Sequence, residues 1–211
     1  MRSLILACAF LAQAYSLNTV HADELGLYQQ LGDRFQQHAV MRANFTQTKK
    51  MAVLKRPLIT YGSLLYAKEQ GVVWQITQPY EISYILSDES MIEISVDGSR
   101  KERMINDTPG FAQISRIFRA MLGADTNELN SYFNIEIQSV SNDDDKKWKV
   151  LLTPKQIQTS HFVKDITVEG DQFVDSIQIN ESSTDSTFIQ FSNTTVSQKL
   201  NPAELGLFGQ N

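Results

Sequence analysis

The pattern of apolar and polar positions divides the chain into helical segments and two groups of strands. Residues 24–40 place apolar side chains at spacings of three and four, which predicts an amphipathic helix capped by Asp23. From about Arg42 the spacing changes to alternation, which is typical of β-strands. The expected strands of this first group are 43–48, 59–66, 72–77, 82–86 and 91–96. The Asp97-Gly98 pair that follows them is a hairpin signal.

A second amphipathic helix is expected at about 110–122, where Thr108 suits the cap and Pro109 the first turn. A short helical piece is expected at 126–132. The remaining alternations predict strands at 133–140, 147–153, 162–169, 172–180 and 186–192. Short polar turns separate consecutive strands, so antiparallel hairpins are expected. The whole pattern predicts an α+β fold, in which helices pack on one face of a large antiparallel sheet.

Two of the predicted strands carry apolar residues on both faces. In strand 58–66, Leu64 and Tyr66 fall on one face, whereas Ile59 and Leu65 fall on the other. A sheet with one face in water alternates more cleanly than this. Two interpretations stay open. Either part of this apolar surface lines a cavity, or the sheet belongs to an ordinary core with some apolar residues exposed.

The first residues have the pattern of a secretory signal peptide. This interpretation is based on the positively charged start, the apolar stretch over 4–17, and the small or apolar residues Val20 and Ala22 at the cleavage positions. The apolar stretch is short for a membrane span. The expected organisation is therefore a cleaved signal peptide over 1–22 and a single domain over 23–211.

Composition and charge narrow the function classes. The chain has 211 residues and a net charge of −5, and this acidic balance argues against a nucleic-acid binder. Its single cysteine lies in the expected signal peptide, so no thiol nucleophile or disulfide is expected in the mature chain. His38 and His161 lie in no recognisable motif, and no serine-elbow, phosphate-loop or zinc-protease motif occurs. No catalytic residue, metal ligand or cofactor is assigned, and an enzyme is not expected.

Four short motifs occur in order along the predicted strands. Residues 45–47 read Phe-Thr-Gln, and residues 62–64 read Gly-Ser-Leu. Residues 74–79 contain a Trp followed five positions later by Pro, and residues 152–154 read Leu-Thr-Pro. In order and spacing, over about residues 24–200, these segments resemble the LolA-like periplasmic lipoprotein carriers.

The resemblance implies a half-open β-barrel, in which helices cover the concave apolar face of a strongly curved antiparallel sheet. It also implies a periplasmic protein that shields the acyl chains of its cargo between the inner and outer membranes. An inner-membrane donor complex or exporter would supply the cargo, and an outer-membrane acceptor would take it. A monomer is expected. The candidate residues of the cavity wall are Phe45, Leu64, Tyr66, Trp74 and Ile76. The candidate lid residues are Ile114, Ile117, Phe118 and Met121.

One turn departs from the family pattern. Lys68 and Glu69 stand where the main carriers have Arg-Pro, an arginine linked to lid closure in the family. Lysine lacks the planar hydrogen-bonding fork of arginine, so it is not equivalent there. Segments 54–58 and 70–74 are more similar to a divergent branch found with aryl-polyene synthesis genes, so the expected cargo is a lipoprotein or a lipid-linked molecule such as a polyene lipid. The alternative function is a periplasmic sensor or assembly factor that binds a protein partner through the same fold.

Overall fold

The computed structural model describes residues 38–104, 117, 120–121, 126–140, 147–160, 163–181 and 184–209. The strands in these ranges are β1 (Val40–Lys50), β2 (Leu58–Ala67), β3 (Gly71–Gln78), β4 (Ile82–Leu86), β5 (Ser90–Ser95), β6 (Arg100–Met104), β7 (Phe133–Val140), β8 (Trp148–Pro154), β9 (Asp165–Gly170), β10 (Val174–Asn180) and β11 (Ser186–Ser197). The helices with described bounds are α1 (Thr126–Tyr132), α2 (Ile157–Ser160) and α3 (Pro202–Leu207). Ile117, Ala120 and Met121 are also helical.

All eleven described strands belong to one antiparallel sheet, in the order β6-β5-β4-β3-β2-β1-β11-β10-β9-β8-β7. The chain therefore builds two meanders, β1 to β6 and β7 to β11. The pairing of β1 with β11 joins them, with Phe45 opposite Phe191. The sheet is not closed, because β6 and β7 form its two edges.

One face of the sheet carries the larger hydrophobic cluster. We name it the aromatic face, after Phe45, Trp74, Trp148 and Phe191. Because side chains alternate along a strand, every second residue of the paired strands contributes to this face. Other buried members of the cluster are Met41, Ala43, Leu64, Val72, Ile76, Leu129, Phe133, Val150, Leu152, Ile166, Val168, Val174, Ile177 and Ile189. The helical residues Ile117, Ala120 and Met121 are buried in the same cluster, so the helical segment that contains them packs on this face.

The opposite face of β1 to β4 holds a second, smaller cluster. Its buried residues are Val40, Leu65, Ala67, Val73 and Ile85. Leu200 and Phe208, on either side of α3, pack against it. This cover accounts for most of the apolar pattern on both faces of β2 and β3, since Leu64 lies in one cluster and Leu65 in the other. Ile59 and Tyr61 remain partly exposed.

An ion pair ties α3 to the sheet. Nε and Nη2 of Arg42 donate to the two carboxylate oxygens of Glu204 at 2.5 and 2.6 Å. Nη1 of Arg42 donates to Oγ of Ser197 at 2.9 Å. Glu204 also closes a capping box with Asn201 at the start of the helix. The hydrogen bond from Arg42 is the main reason why the pKa of Glu204 lies below its ordinary value, and the same bond raises the pKa of Arg42.

The described elements agree with most of the predicted strands and differ at particular points. β1 begins at Val40, the last residue of the first predicted helix, and 24–37 lies outside the described residues, as does the expected signal peptide. β11 continues past its expected end, as far as Ser197. The predictions contained neither β6 nor α2 nor α3. The described part of the chain is mostly β, an open antiparallel sheet with a few short helices. This confirms the large antiparallel sheet of the expected α+β fold.

Candidate functional site

The centre of the aromatic face is a group of aromatic rings from β1, β3 and β11. The rings of Phe45 and Trp74 are nearly parallel, with centroids 3.7 Å apart and planes 19° apart. Phe191 meets Trp74 edge-on, at 6.4 Å and 88°. Such pairs add about 0.5–1.5 kcal/mol to the burial of their surface. Strands of both meanders therefore contribute to one aromatic centre.

Gly62 provides the space that Phe45 occupies. It lies opposite Phe45 in the pairing of β1 with β2, beside a register shift between β2 and β3. A Cβ atom on Gly62 would lie 2.6 Å from Cζ of Phe45 and 1.9 Å from the carbonyl oxygen of Gln75. Only glycine fits this close approach. The Gly-Ser-Leu motif thus has a local steric reason.

The structure brings the described candidate residues together. Phe45, Leu64, Trp74 and Ile76 are buried in the cluster on the aromatic face. Tyr66 is half-buried at its margin. The candidate lid residues Ile117 and Met121 are helical and buried in the same cluster. Ile114 and Phe118 lie outside the described residues.

Sequence reasoning did not single out the aromatic residues of the second meander. Trp148 lies over Gly170, where an added Cβ would come within 2.6 Å of its ring. Its indole Nε1 donates to the carbonyl oxygen of Asp171 at 2.7 Å, so the polar edge of the ring is satisfied while its body is buried. The alternation of Trp148 with Val150 and Leu152 is the sequence signal that assigns it to the buried face.

A margin of half-buried apolar side chains surrounds the cluster on the aromatic face. Its members on β2 and β4 are Tyr66, Ile82, Tyr84 and Leu86. Its other members include Tyr132 at the end of α1 and Ile135, Ile137 and Ile179 in the second meander. Burial, and then the charge of Glu93, raise the pKa of the Tyr84 hydroxyl above its ordinary value. The margin offers apolar contact beside water.

The turn between β2 and β3 carries the departure from the family pattern. Lys68 and Glu69 are both exposed, and the amide of Lys68 donates to the carbonyl oxygen of Ala39 at 2.9 Å. A cleft of about 270 Å³ lies between this turn and the C-terminal segment. It is lined by Ala39, Val40, Glu69, Gln70, Gln198, Lys199, Leu200 and Leu205. The cleft therefore adjoins the smaller cluster rather than the aromatic face.

The described residues offer little material for chemistry. Among them no group of three or more His, Cys, Asp or Glu side chains could hold a metal ion. No helix in the described ranges has the length and hydropathy needed to cross a membrane. What the site offers is apolar contact area.

Comparison with known families gives a match over most of the chain. The family described as outer membrane lipoprotein carrier protein, LolA-like, matches residues 20–184. The chain belongs to this LolA-like family. LolA-like proteins are periplasmic and generally non-enzymatic. A comparison with curated protein sequences finds no match.

Solved structures give weaker similarities. A LolA superfamily protein from Nitrosomonas europaea is 8% identical, with a TM-score of 0.44, over 84% of this chain and 96% of its own. MucB of Pseudomonas aeruginosa, solved with MucA, is 9% identical, with a TM-score of 0.48, over 87% of this chain and 60% of its own. The Mycobacterium tuberculosis lipoprotein LppX is 11% identical, with a TM-score of 0.46, over 84% and 99%. The sequence identities and TM-scores are low, so the assignment to the LolA-like family rests on the family match.

Proposed function

We propose that this LolA-like protein is a periplasmic carrier that shields the acyl chains of a lipoprotein or a lipid-linked cargo on its aromatic face during transfer from the inner to the outer membrane. An inner-membrane donor complex or exporter would load it, and an outer-membrane acceptor would unload it. In this proposal the aromatic face is the concave wall of a half-open barrel. Phe45, Leu64, Tyr66, Trp74 and Ile76 belong to the wall.

The observation that carries the proposal is the extent of the aromatic face and the nature of its cover. Apolar side chains continue in register across β1 to β4 and across β7 to β11. Helical residues, Ile117 and Met121 among them, cover this surface. This supports a lid role for Ile117 and Met121, whereas Ile114 and Phe118 are assigned to the lid from their helical spacing in the sequence. A lid that moves aside would expose a surface wide enough for acyl chains.

The energetics suit a carrier. Each methylene transferred from water to an apolar surface is stabilised by about 0.8 kcal/mol. Displacing the lid residues from the same surface opposes this gain, because they lose their own burial. Net affinity therefore stays below its maximum, and an acceptor can take the cargo. Met121 suits such a lid, because its flexible thioether adapts to differently shaped chains.

The cargo follows from the resemblance rather than from any contact. An acylated lipoprotein and a lipid-linked molecule both present acyl chains, and the aromatic face has the same complementarity to each. The relation to the aryl-polyene branch stays a prediction, based on the similarity of segments 54–58 and 70–74 to that branch.

A charge placed on the aromatic face tests the proposal. Phe45→Glu should abolish uptake of a fluorescent apolar probe, because it puts a carboxylate in the centre of the wall. Asn44→Glu is the matched control, because Asn44 is exposed and points to the opposite face of the same strand. The control should bind the probe like the unmodified protein. Circular dichroism must show that each variant is folded.

A second pair of variants covers the case in which Phe45→Glu does not fold. Leu86 is half-buried at the margin, and Leu86→Glu should weaken probe uptake with less effect on folding. Ser83→Glu, on the opposite face of β4, is its control. Normal uptake by both folded wall variants would refute the proposal. A stable protein partner and no lipid would then favour the sensor or assembly function.

A further inference from the structure

Two cross-strand rows of the aromatic face end in cations at the edge strand β6. In the first row, Tyr66 lies opposite Val72, Val72 opposite Leu86, Leu86 opposite Met91, and Met91 opposite Arg103. Val72 is fully buried, Leu86 and Met91 are half-buried, and Arg103 is exposed. The row thus passes step by step from the apolar centre to water and ends in a guanidinium.

The neighbouring row also runs from buried apolar residues to an exposed cation. It joins Leu64, Trp74, Tyr84, Glu93 and Lys101 in consecutive strands. Leu64 and Trp74 are buried, Tyr84 and Glu93 are half-buried, and Lys101 is exposed.

Arg103 is the stronger anion ligand of the two cations. Glu93 lies beside Lys101 in its row, and the charge of Lys101 also acts on Asp97 in the preceding turn. Part of the charge of Lys101 is therefore balanced, whereas the first row contains no carboxylate. Within the described ranges, neither Lys101 nor Arg103 forms a side-chain hydrogen bond or ion pair.

The other edge of the sheet differs. The residues of β7 on the aromatic face are Phe133, Ile135 and Ile137, so this face stays apolar up to that edge. An amphipathic ligand lying across the strands therefore has one favourable direction. Its chain lies towards the centre and its headgroup at β6. Five strand spacings of about 4.8 Å separate β1 from β6, so the path is about 24 Å long.

We propose that Arg103, with help from Lys101, binds an anionic headgroup, a phosphate or a carboxylate, of the acylated cargo. This inference rests on the proposed function, because it takes the acyl chains to lie on the aromatic face. Basic residues on an exposed edge strand also discourage pairing with other chains. That role alone would give no preference between lipid headgroups, so the two roles can be told apart.

The test compares two lipids with the same palmitoyl chain, lysophosphatidylglycerol and lysophosphatidylcholine. Each lipid is titrated, below the concentration at which micelles form, into the full mature protein loaded with a neutral naphthylamine probe, and loss of the bound probe is measured. The first lipid carries a net negative charge, and the second carries none. We expect tighter binding of the anionic lipid, and this preference should shrink as salt is added.

The matched variants are Arg103→Gln and Arg100→Gln. Both remove one positive charge from β6, but Arg100 lies on the opposite face of the strand. Arg103→Gln should weaken the anionic lipid about two- to fivefold, the range for exposed ion pairs, and leave the zwitterionic lipid unchanged. Arg100→Gln should change neither. Glycerol phosphate, which has the headgroup without the chain, should not compete at equal concentration.

The outcomes separate the two proposals. If both lipids displace the probe equally and Arg103→Gln has no effect, the headgroup inference is wrong and the carrier function stands. If Arg100→Gln acts like Arg103→Gln, or glycerol phosphate competes, a general attraction or a free-phosphate site replaces the inference. If neither lipid displaces the probe, the carrier function itself is refuted.

Discussion

Gly62→Ala is the substitution for which the structure predicts the sharpest effect. The added Cβ would lie 1.9 Å from the carbonyl oxygen of Gln75 and 2.6–2.8 Å from two ring atoms of Phe45. The phenyl ring could turn aside, but it would then lose its stack on Trp74. The carbonyl oxygen is backbone, so β2 and β3 would have to separate locally.

The magnitude follows from these two clashes. Overpacking a core costs about 1–3 kcal/mol, and the backbone clash places this site at the upper end, about 3 kcal/mol. This is a large part of the net free energy of unfolding of a typical domain, which is about 5–15 kcal/mol. Gly206→Ala is the matched control, because Gly206 lies in α3 and a Cβ added there would meet no atom within 4 Å. Alanine there should stabilise the protein by about 0.5–1 kcal/mol.

Urea unfolding followed by tryptophan fluorescence measures both changes, and Trp74 reports directly on the stack. We expect the free energy of unfolding to fall for Gly62→Ala and to rise for Gly206→Ala. Gly62→Ala should also reduce uptake of an apolar probe, because the aromatic centre is distorted. A free energy of unfolding for Gly62→Ala within about 0.5 kcal/mol of the unmodified protein would refute the steric reasoning.

Three further predictions concern the C-terminal segment and the second meander. Arg42→Met should lower the free energy of unfolding by about 1–3 kcal/mol in urea titrations, since it removes both hydrogen bonds that Arg42 donates to the carboxylate of Glu204. The pKa of Glu204 is lowered in the folded state, so its carboxylate stabilises the fold above the ordinary glutamate pKa. The stability difference between the unmodified protein and Glu204→Gln should therefore shrink as the pH falls below about 4. Trp148→Phe should cost about 1 kcal/mol in the same titrations, through loss of the bond to Asp171.

Local patterns were sufficient to predict most of the sheet. The sequence located β2, β3, β4 and β5 to within a few residues, because each segment is rich in apolar residues and is bounded by turn signals such as Pro57, Gly71 and Pro79. β6 has the sequence Arg-Lys-Glu-Arg-Met, with no apolar alternation. It is a strand because its backbone pairs with β5, and only the Asp97-Gly98 signal pointed to it.

The helix α3 was not predicted, for a different reason. Its signals are in the sequence, with Asn201 as cap, Pro202 in the first turn and Glu204 to complete the capping box. What pattern alone does not predict is its contact with β1, since Arg42 and Glu204 are distant in the chain. Without knowledge of the cover that Leu200 and Phe208 provide beside α3, the sequence could not decide between the two interpretations of the apolar residues on both faces of β2.

The residues of the candidate site were also predicted only in part. Phe45, Leu64, Trp74 and Ile76 were named from motifs and parity, and they lie in one cluster. Phe191 and Trp148 belong to the same cluster, but strand order across the β1–β11 junction decides this. No local pattern determines that order, because it depends on which strands meet after the chain has folded.

Mass spectrometry of organic extracts from the mature protein, purified gently from the periplasm of its native host, tests the carrier function most directly. We expect an acylated lipid at near-equal molar ratio, with an anionic headgroup, or a co-purified lipoprotein. A folded protein that contains no lipid and takes up no apolar probe would contradict it.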